Sequence, residues 1–308
     1  MDGERLRIGL IGWGTVGSAL GELIEHGPLP LQLACLAVRN RSGDRADLPK
    51  GVDLVAPEEA LEVDVVVELA GGLDGPREWA RAALDRGTPY VTANKALLAT
   101  HGGELAELAE RRVAALLGSA SVGGGTPMIE TTQHLAATGE ITAIRGLLNA
   151  TTTYILSAMG SGGTYDEALR AAQAAGYAEA DPSFDVEGRD AAQKLAILAS
   201  VAWGKWRGER EVDTTGIVGR TVVPGETVRL VAEATKDTMT VAPMALEPSD
   251  PLAHASGIES VLEIVMGDGT TFRISGPGAG GHVTARAVYA DLARLAVGER
   301  PILFGTHP

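Results

Sequence analysis

Leu6-Arg-Ile-Gly-Leu-Ile-Gly-Trp-Gly-Thr-Val-Gly17 is a largely apolar strand pattern that runs straight into a Gly12-x-Gly14-x-x-Gly17 turn, and it decides the fold. Leu6 to Ile11 reads as a buried strand and Val16 to Glu25 as a helix. Gly12 permits the tight turn, Gly14 lets backbone approach a pyrophosphate, and Gly17 lets helix and strand pack closely. Thr15 and Val16 then open the helix, whose unpaired N–H groups and positive dipole end favour a phosphate. Three glycines among 40 are a weak signal by themselves. Between a strand and a helix, within the first twenty residues, they read as a dinucleotide-binding turn.

Working outward, Leu31 to Val38 is the expected second strand. A fold that prefers NAD usually ends it with Asp or Glu, to hold the ribose 2′-hydroxyl. Here it ends Val38-Arg-Asn-Arg41, with Arg45 close behind, so Arg39 is the candidate partner of a 2′-phosphate and NADP is favoured over NAD. Solvated loop arginines are the plain alternative, and use of both cofactors stays open. Val63 to Ala70 is a strand ending at Gly71-Gly72, Pro76 to Arg86 a helix, Pro89 to Ala93 a strand and Glu104 to Arg112 a helix. That alternation indicates α/β, a Rossmann-type doubly wound parallel sheet. Ligands bind such sheets at the carboxyl ends of strands, where Gly71, Asn94 and Lys95 fall.

The second half opens with Ser121-Val-Gly-Gly-Gly-Thr-Pro127, a helix from Met128 to Ala137 and a strand from Ile141 to Leu148. Asn149-Ala-Thr-Thr-Thr153 reads as a hydroxyl-rich loop before a helix from Tyr154 to Met159, suited to capping or to presenting hydroxyls and N–H groups to a carboxylate. The stretch from Gly176 to Lys194 packs Glu179, Asp181, Asp185, Glu187 and Asp190 ahead of a single lysine. Asp190 and Lys194 are four apart and share one face of an otherwise apolar helix through Ala202. An ordinary exposed ion pair would be worth little. The apolar surroundings instead place this one in the interior or a cleft, where a lysine can exchange a proton and carboxylates suit a substrate ammonium. Near the end, Phe272 to Ser275 is a strand, Gly276-Pro-Gly-Ala-Gly-Gly281 offers backbone to a ligand, and a helix spans Thr284 to Leu295.

A net charge of −14 over 308 residues argues against nucleic-acid and anionic-membrane partners. The lone Cys35 sits in an apolar run, so no disulfide framework forms within the chain. No leader or spanning segment is evident, and a cytoplasmic enzyme is the expectation. No histidine accompanies the acidic cluster at ligand spacing, and no metal is expected. The domains read as 1–130 for the dinucleotide, 131–284 for substrate and dimerisation, and 285–308 as a helix returning to the first.

These motifs together resemble the homoserine dehydrogenase family over nearly the full length. Gly-Leu-Ile-Gly-Trp-Gly-Thr-Val-Gly17, Val-Val-Val-Glu-Leu-Ala-Gly-Gly72, Val-Thr-Ala-Asn-Lys-Ala-Leu-Leu98 and Ser-Val-Gly-Gly-Gly-Thr-Pro127 match in order. Gly146-Leu-Leu-Asn-Ala-Thr-Thr152, Gly-Tyr-Ala-Glu-Ala-Asp-Pro182, the Asp185 to Lys194 segment and Gly-Pro-Gly-Ala-Gly280 follow. The resemblance implies NAD(P)-dependent interconversion of aspartate semialdehyde and homoserine, a mixed α/β catalytic domain and a homodimer joined through it. It gives Lys194 the proton on the substrate oxygen, with Asp190 beside it and Lys95 at the same site. It assigns Glu179 and Asp185 to the substrate's amino and hydroxyl ends and Thr151 to the pocket. Gly280, in the late glycine run after a strand, is read with the cofactor-binding residues.

The chain departs from the family pattern at Ser119, Thr126, Ala150 and Thr153. Ser119 replaces a glutamate linked in some members to a monovalent cation. With no regulatory domain after Pro308, threonine feedback through one is not expected. A related oxidoreductase acting on another amino-acid alcohol or semialdehyde remains an alternative, as does a redox-inactive NADP-binding regulator. An aldehyde dehydrogenase would need a nucleophilic cysteine, which Cys35 in an apolar strand is not.

Overall fold

A computed structural model describes residues 5–38, 48, 49, 51–255, 257 and 259–304. Arg39, Asn40, Arg41 and Arg45 lie outside the described residues. The chain divides into two compact units, one reaching Pro127 and resuming from Ala279, the other spanning Met128–Gly278.

The first unit begins β1 (Leu6–Ile11), α1 (Thr15–His26), β2 (Leu31–Ala37), β3 (Asp53–Val55) and β4 (Val65–Glu68). It continues α2 (Asp74–Asp85), β5 (Tyr90–Thr92), α3 (Lys95–Arg112) and β6 (Leu116–Leu117). The second unit runs α4 (Met128–Thr138), β7 (Ile141–Leu147), α5 (Ala150–Gly160), α6 (Tyr165–Ala174), α7 (Ser183–Val186) and α8 (Arg189–Trp203). Five strands follow, β8 (Asp213–Thr214), β9 (Val228–Thr235), β10 (Met239–Ala245), β11 (Glu259–Met266) and β12 (Thr271–Pro277). Helix α9 (Gly281–Ala296) belongs to the first unit.

The first unit's sheet is parallel throughout, in the order β3-β2-β1-β4-β5-β6. Its strands read as continuous apolar runs because helices cover both faces. Ile8, Leu10, Val67 and Val91 pack with Leu20 and Ile24 of α1 and with Val288 and Leu292 of α9 in one buried cluster. Order 3-2-1-4-5-6 places the topological switch between β1 and β4, so the carboxyl ends of those strands frame the ligand crevice.

The second unit holds a six-stranded sheet ordered β12-β11-β7-β9-β10-β8, antiparallel except for β8 against β10. Helix α8 packs against β7, β9 and β10 and is buried along nearly its whole length. This is the mixed α/β architecture expected for the second half. Among the described residues, no helix is long and apolar enough to cross a membrane.

Helices α3 and α5 start four or more residues earlier than the sequence pattern suggests. Helix α3 begins at Lys95, nine residues before Glu104, because Asn94 caps it through Leu97 N–H. The apparent break at Gly102-Gly103 does not end it, since a helix-interior glycine costs only about 1 kcal/mol and Gly102 is buried in packing. Helix α5 begins at Ala150, so Thr151 to Thr153 form its first turn rather than a loop.

Candidate active site

In the first unit the glycine turn joins β1 to α1. Gly12 adopts φ +109°, and a Cβ there would stand 2.6 Å from the carbonyl carbon of Leu69. A Cβ on Gly17 would collide with the Gly12 carbonyl oxygen. Gly14 differs: its Cβ would meet nothing within 4 Å, and its position as N-cap leaves α1 without a side-chain cap. Thr15 is exposed and Val16 half-buried at the same helix end. A cleft of about 540 Å³ opens here, lined by Gly12 and Gly14, by Val38 at the end of β2, by Gly71, and by Pro57 and Trp79. An open glycine, an uncapped helix N-terminus and an apolar pocket fit a dinucleotide.

Glu68 ties the far wall together. Its buried carboxylate accepts from Ala70 N–H and Gly71 N–H, both at 2.8 Å, and from the Thr92 hydroxyl at 2.7 Å. Burial pushes its pKa up, against those hydrogen bonds. The Thr92 hydroxyl in turn accepts from Asn94 N–H, while the Asn94 side-chain amide donates to the Gly72 carbonyl. The Gly71-Gly72 turn and the start of α3 are therefore held as one piece, with half-buried Lys95 the first residue of that helix. Gly280, at φ +137°, precedes Gly281, which packs directly on Thr15. That contact brings the second glycine run beside the first.

In the second unit β7 ends at Leu147, and α5 and α8 start beside each other. Lys194 Nζ donates to the Leu148 carbonyl and to Asp190 Oδ2, each at 2.8 Å. The Lys194 and Asp190 side chains are only 15% and 7% exposed, which excludes the ordinary surface pair. Taking two charges out of water is costly, so such a pair adds little net stability by itself. The Asn149 side-chain amide donates to Asp185 Oδ1 at 2.7 Å and to Asp190 Oδ2 at 2.8 Å. Its Oδ1 accepts from Thr152 N–H and caps α5.

The structure thus brings Asp185, Asp190 and Lys194 together around Asn149, which opens the stretch read as a cap or as a presenter of hydroxyls and N–H groups to a carboxylate. Of the threonine hydroxyls, that of Thr151 lies within hydrogen-bonding reach of the Asp185 carboxylate as well as of a backbone carbonyl. Thr151 donates to the Tyr177 carbonyl, and Thr152 and Thr153 both donate to the Asn149 carbonyl. Thr151 thereby anchors the segment that carries Glu179, whose side chain is exposed. The Tyr177 ring also packs on Tyr154, centroids 5.1 Å apart.

Comparison with known proteins bears on both halves. The model of the homoserine dehydrogenase NAD-binding domain matches residues 12–117, and that of homoserine dehydrogenase itself matches 127–293. The chain belongs to the homoserine dehydrogenase family. A homoserine dehydrogenase of Synechocystis sp. is 38% identical over 317 residues, covering 94% of this chain and 73% of that one. The crystal structure of a homoserine dehydrogenase from Thiobacillus denitrificans superposes with a TM-score of 0.88 at 31% identity, covering 95% of this chain and 73% of that one. A hyperthermophilic archaeal homoserine dehydrogenase in complex with NADPH gives 0.86 at 29% identity, covering 97% of this chain and 99% of that one.

Within the homoserine dehydrogenase frame, Ser119 is buried, its hydroxyl donating to Asp291 Oδ1 at 2.6 Å and its N–H to Oδ2 at 3.0 Å. Among the described residues no group of three or more His, Cys, Asp or Glu side chains is placed to hold a metal ion.

Asp185 carries a stability signature. Burial pushes its pKa above the ordinary 3.8 and the Asp190 charge adds to the rise, while hydrogen bonds from Asn149 and Thr151 and the Lys194 charge oppose it. The folded state then binds the Asp185 proton more tightly than the unfolded state, so this group's contribution falls as pH rises through the window above 3.8. Asp185→Asn removes that cost. The variant is expected to melt above the parent chain at neutral pH, with the gap closing as pH falls below the ordinary aspartate value. Calorimetry across that range checks it, and a gap that widens towards acid would contradict the assignment.

Proposed function

We propose that the Asp185–Asp190–Lys194 cluster is the catalytic site of an NAD(P)-dependent homoserine dehydrogenase, reducing aspartate 4-semialdehyde reversibly to homoserine. The observation that carries the reading is the buried Lys194–Asp190 pair. When bound, the nicotinamide cofactor supplies hydride to the aldehyde carbon. Lys194 holds a proton at Nζ for the oxygen that becomes the hydroxyl, and Asp190 fixes that ammonium in place. A lysine bonded to one carbonyl and one carboxylate keeps a third N–H that no described residue engages, and this is the proton available to substrate.

Asp185 and Glu179 are read as the carboxylates for the substrate's amino and hydroxyl ends, with Thr151 anchoring the Glu179 segment. The family resemblance assigns Lys95 to the same reaction. Gly12, Gly14, Thr15, Val16, Gly17, Gly71, Asn94 and Gly280 are read as the cofactor's seat, and Arg39 as the partner of a 2′-phosphate. The NADPH complex of the archaeal relative supports NADP as the preferred form. A cytoplasmic homodimer joined through the second unit completes the reading, and sedimentation at the mass of one chain would refute the assembly.

Oxidation of NADPH and NADH by the purified chain with aspartate semialdehyde tests the function, and rapid turnover with NADPH is expected. Arg39→Ala should raise KM for NADPH about tenfold and leave NADH unchanged, since only the former carries the phosphate. Tight NADPH binding without turnover would overturn the substrate and spare the fold. Equal losses with both cofactors would remove Arg39 from its role.

A further inference from the structure

We propose that Asn149 is a positioning residue of this site: its side-chain amide gives one N–H to each of Asp185 and Asp190, keeping the two carboxylates ionised side by side and Asp190 directed at Lys194. This deepens the reading of the cluster as the catalytic site and rests on it. A neutral amide has two donors and one acceptor, and all three are used here, on Asp185, Asp190 and Thr152 N–H. Asn149 is itself only 4% exposed. Two carboxylates within reach of one amide group repel, and without a shared donor one of them takes up a proton. Protonation of Asp190 removes the counter-ion of Lys194, and protonation of Asp185 removes a charge for a substrate ammonium.

Thr151 also bonds Asp185 and Lys194 also bonds Asp190, while the Asn149 amide reaches both carboxylates at once. The charged groups beside Asp185 are Asp190 and Lys194 of α8. On neighbouring elements, Arg145 of β7 is committed to Glu233 and Asp250. Arg229 of β9 donates to backbone carbonyls, and Glu209 accepts from Gln193 and pairs with Arg189. Strand β10 carries no ionisable side chain, and α4 carries Glu130 and the exposed His134.

Capping and bridging can be separated by substitution. Asn149→Ser keeps an acceptor for Thr152 N–H, as a good N-cap, but is too short to reach both carboxylates. Asn149→Asp keeps the cap and the shape while exchanging the double donor for a third carboxylate. Selective ¹³C labelling of aspartate, with Asp185 assigned through Asp185→Asn, reads its titration in the full chain without any substrate. Asp185 is expected to titrate about one pH unit higher in Asn149→Ser, and higher still in Asn149→Asp, with both variants folded but melting below the parent chain at neutral pH, as a raised folded-state pKa requires. The acid limb of kcat/KM should move up in step, and kcat fall about tenfold.

An unmoved Asp185 titration in folded Asn149→Ser and Asn149→Asp would overturn the proposal, as would lost activity accompanied only by lower melting temperature. A parent chain inactive on aspartate semialdehyde would instead count against the reading of the site, since the titration is measured without turnover.

Discussion

Lys194→Ala is expected to lower kcat about 10³-fold while leaving NADPH affinity unchanged, the magnitude typical of losing a positioned general acid. The side chain is held at both available polar neighbours, the Leu148 carbonyl and Asp190, so its Nζ has a defined place before substrate arrives. Removing it also leaves Asp190 buried with one donor fewer, and some loss of stability accompanies the loss of rate. The two effects part in measurement. Fluorescence titration with NADPH reports on the first unit alone, whereas turnover requires the second. Retention of more than about a tenth of kcat would remove Lys194 from the chemistry. Lys194→Arg sharpens the result: the charge persists, but a guanidinium is larger and does not give up its proton, so rate should not return.

The first unit is legible in the sequence because its signals are local. A strand of apolar residues, three glycines at fixed spacing and a helix declare the dinucleotide turn within twelve residues. Lys194 and Asp190 are legible for the same reason, being one helical turn apart in an apolar helix. What the sequence conceals is contact made over distance. Asn149 reaches acids 36 and 41 positions away, and nothing near it in the chain points to them. Glu68 reads as one more residue within a strand, yet its carboxylate ties the glycine turn that follows to Thr92 on the neighbouring strand. The threonines after Asn149 are legible in part: Thr151 lies against the Asp185 carboxylate, while Thr152 and Thr153 turn to the Asn149 carbonyl, because the cap starts the helix earlier than the pattern of apolar residues does.

The three glycines of the first turn should separate sharply under substitution, and Gly14→Val is expected to cut NADPH affinity about 100-fold with little change in melting temperature. Gly14 sits at φ −96°, ψ −161°, extended backbone open to any residue, and its Cβ would meet no atom of the chain within 4 Å. Valine there costs the fold only the difference between a glycine and a poor N-cap, about 1 kcal/mol, or a few degrees. Gly17→Ala is the contrasting case, because its Cβ drives into the Gly12 carbonyl and must displace the turn itself. That variant should lose stability and cofactor together. Isothermal titration and thermal melts on both proteins distinguish the two kinds of constraint. If Gly14→Val bound NADPH as tightly as the parent chain, the space before Gly14 would not be where the pyrophosphate lies. If instead it melted as low as Gly17→Ala, the glycine would serve the turn and not the ligand. A residue that the fold tolerates and the cofactor does not is the strongest sign that the chain kept Gly14 for what it binds.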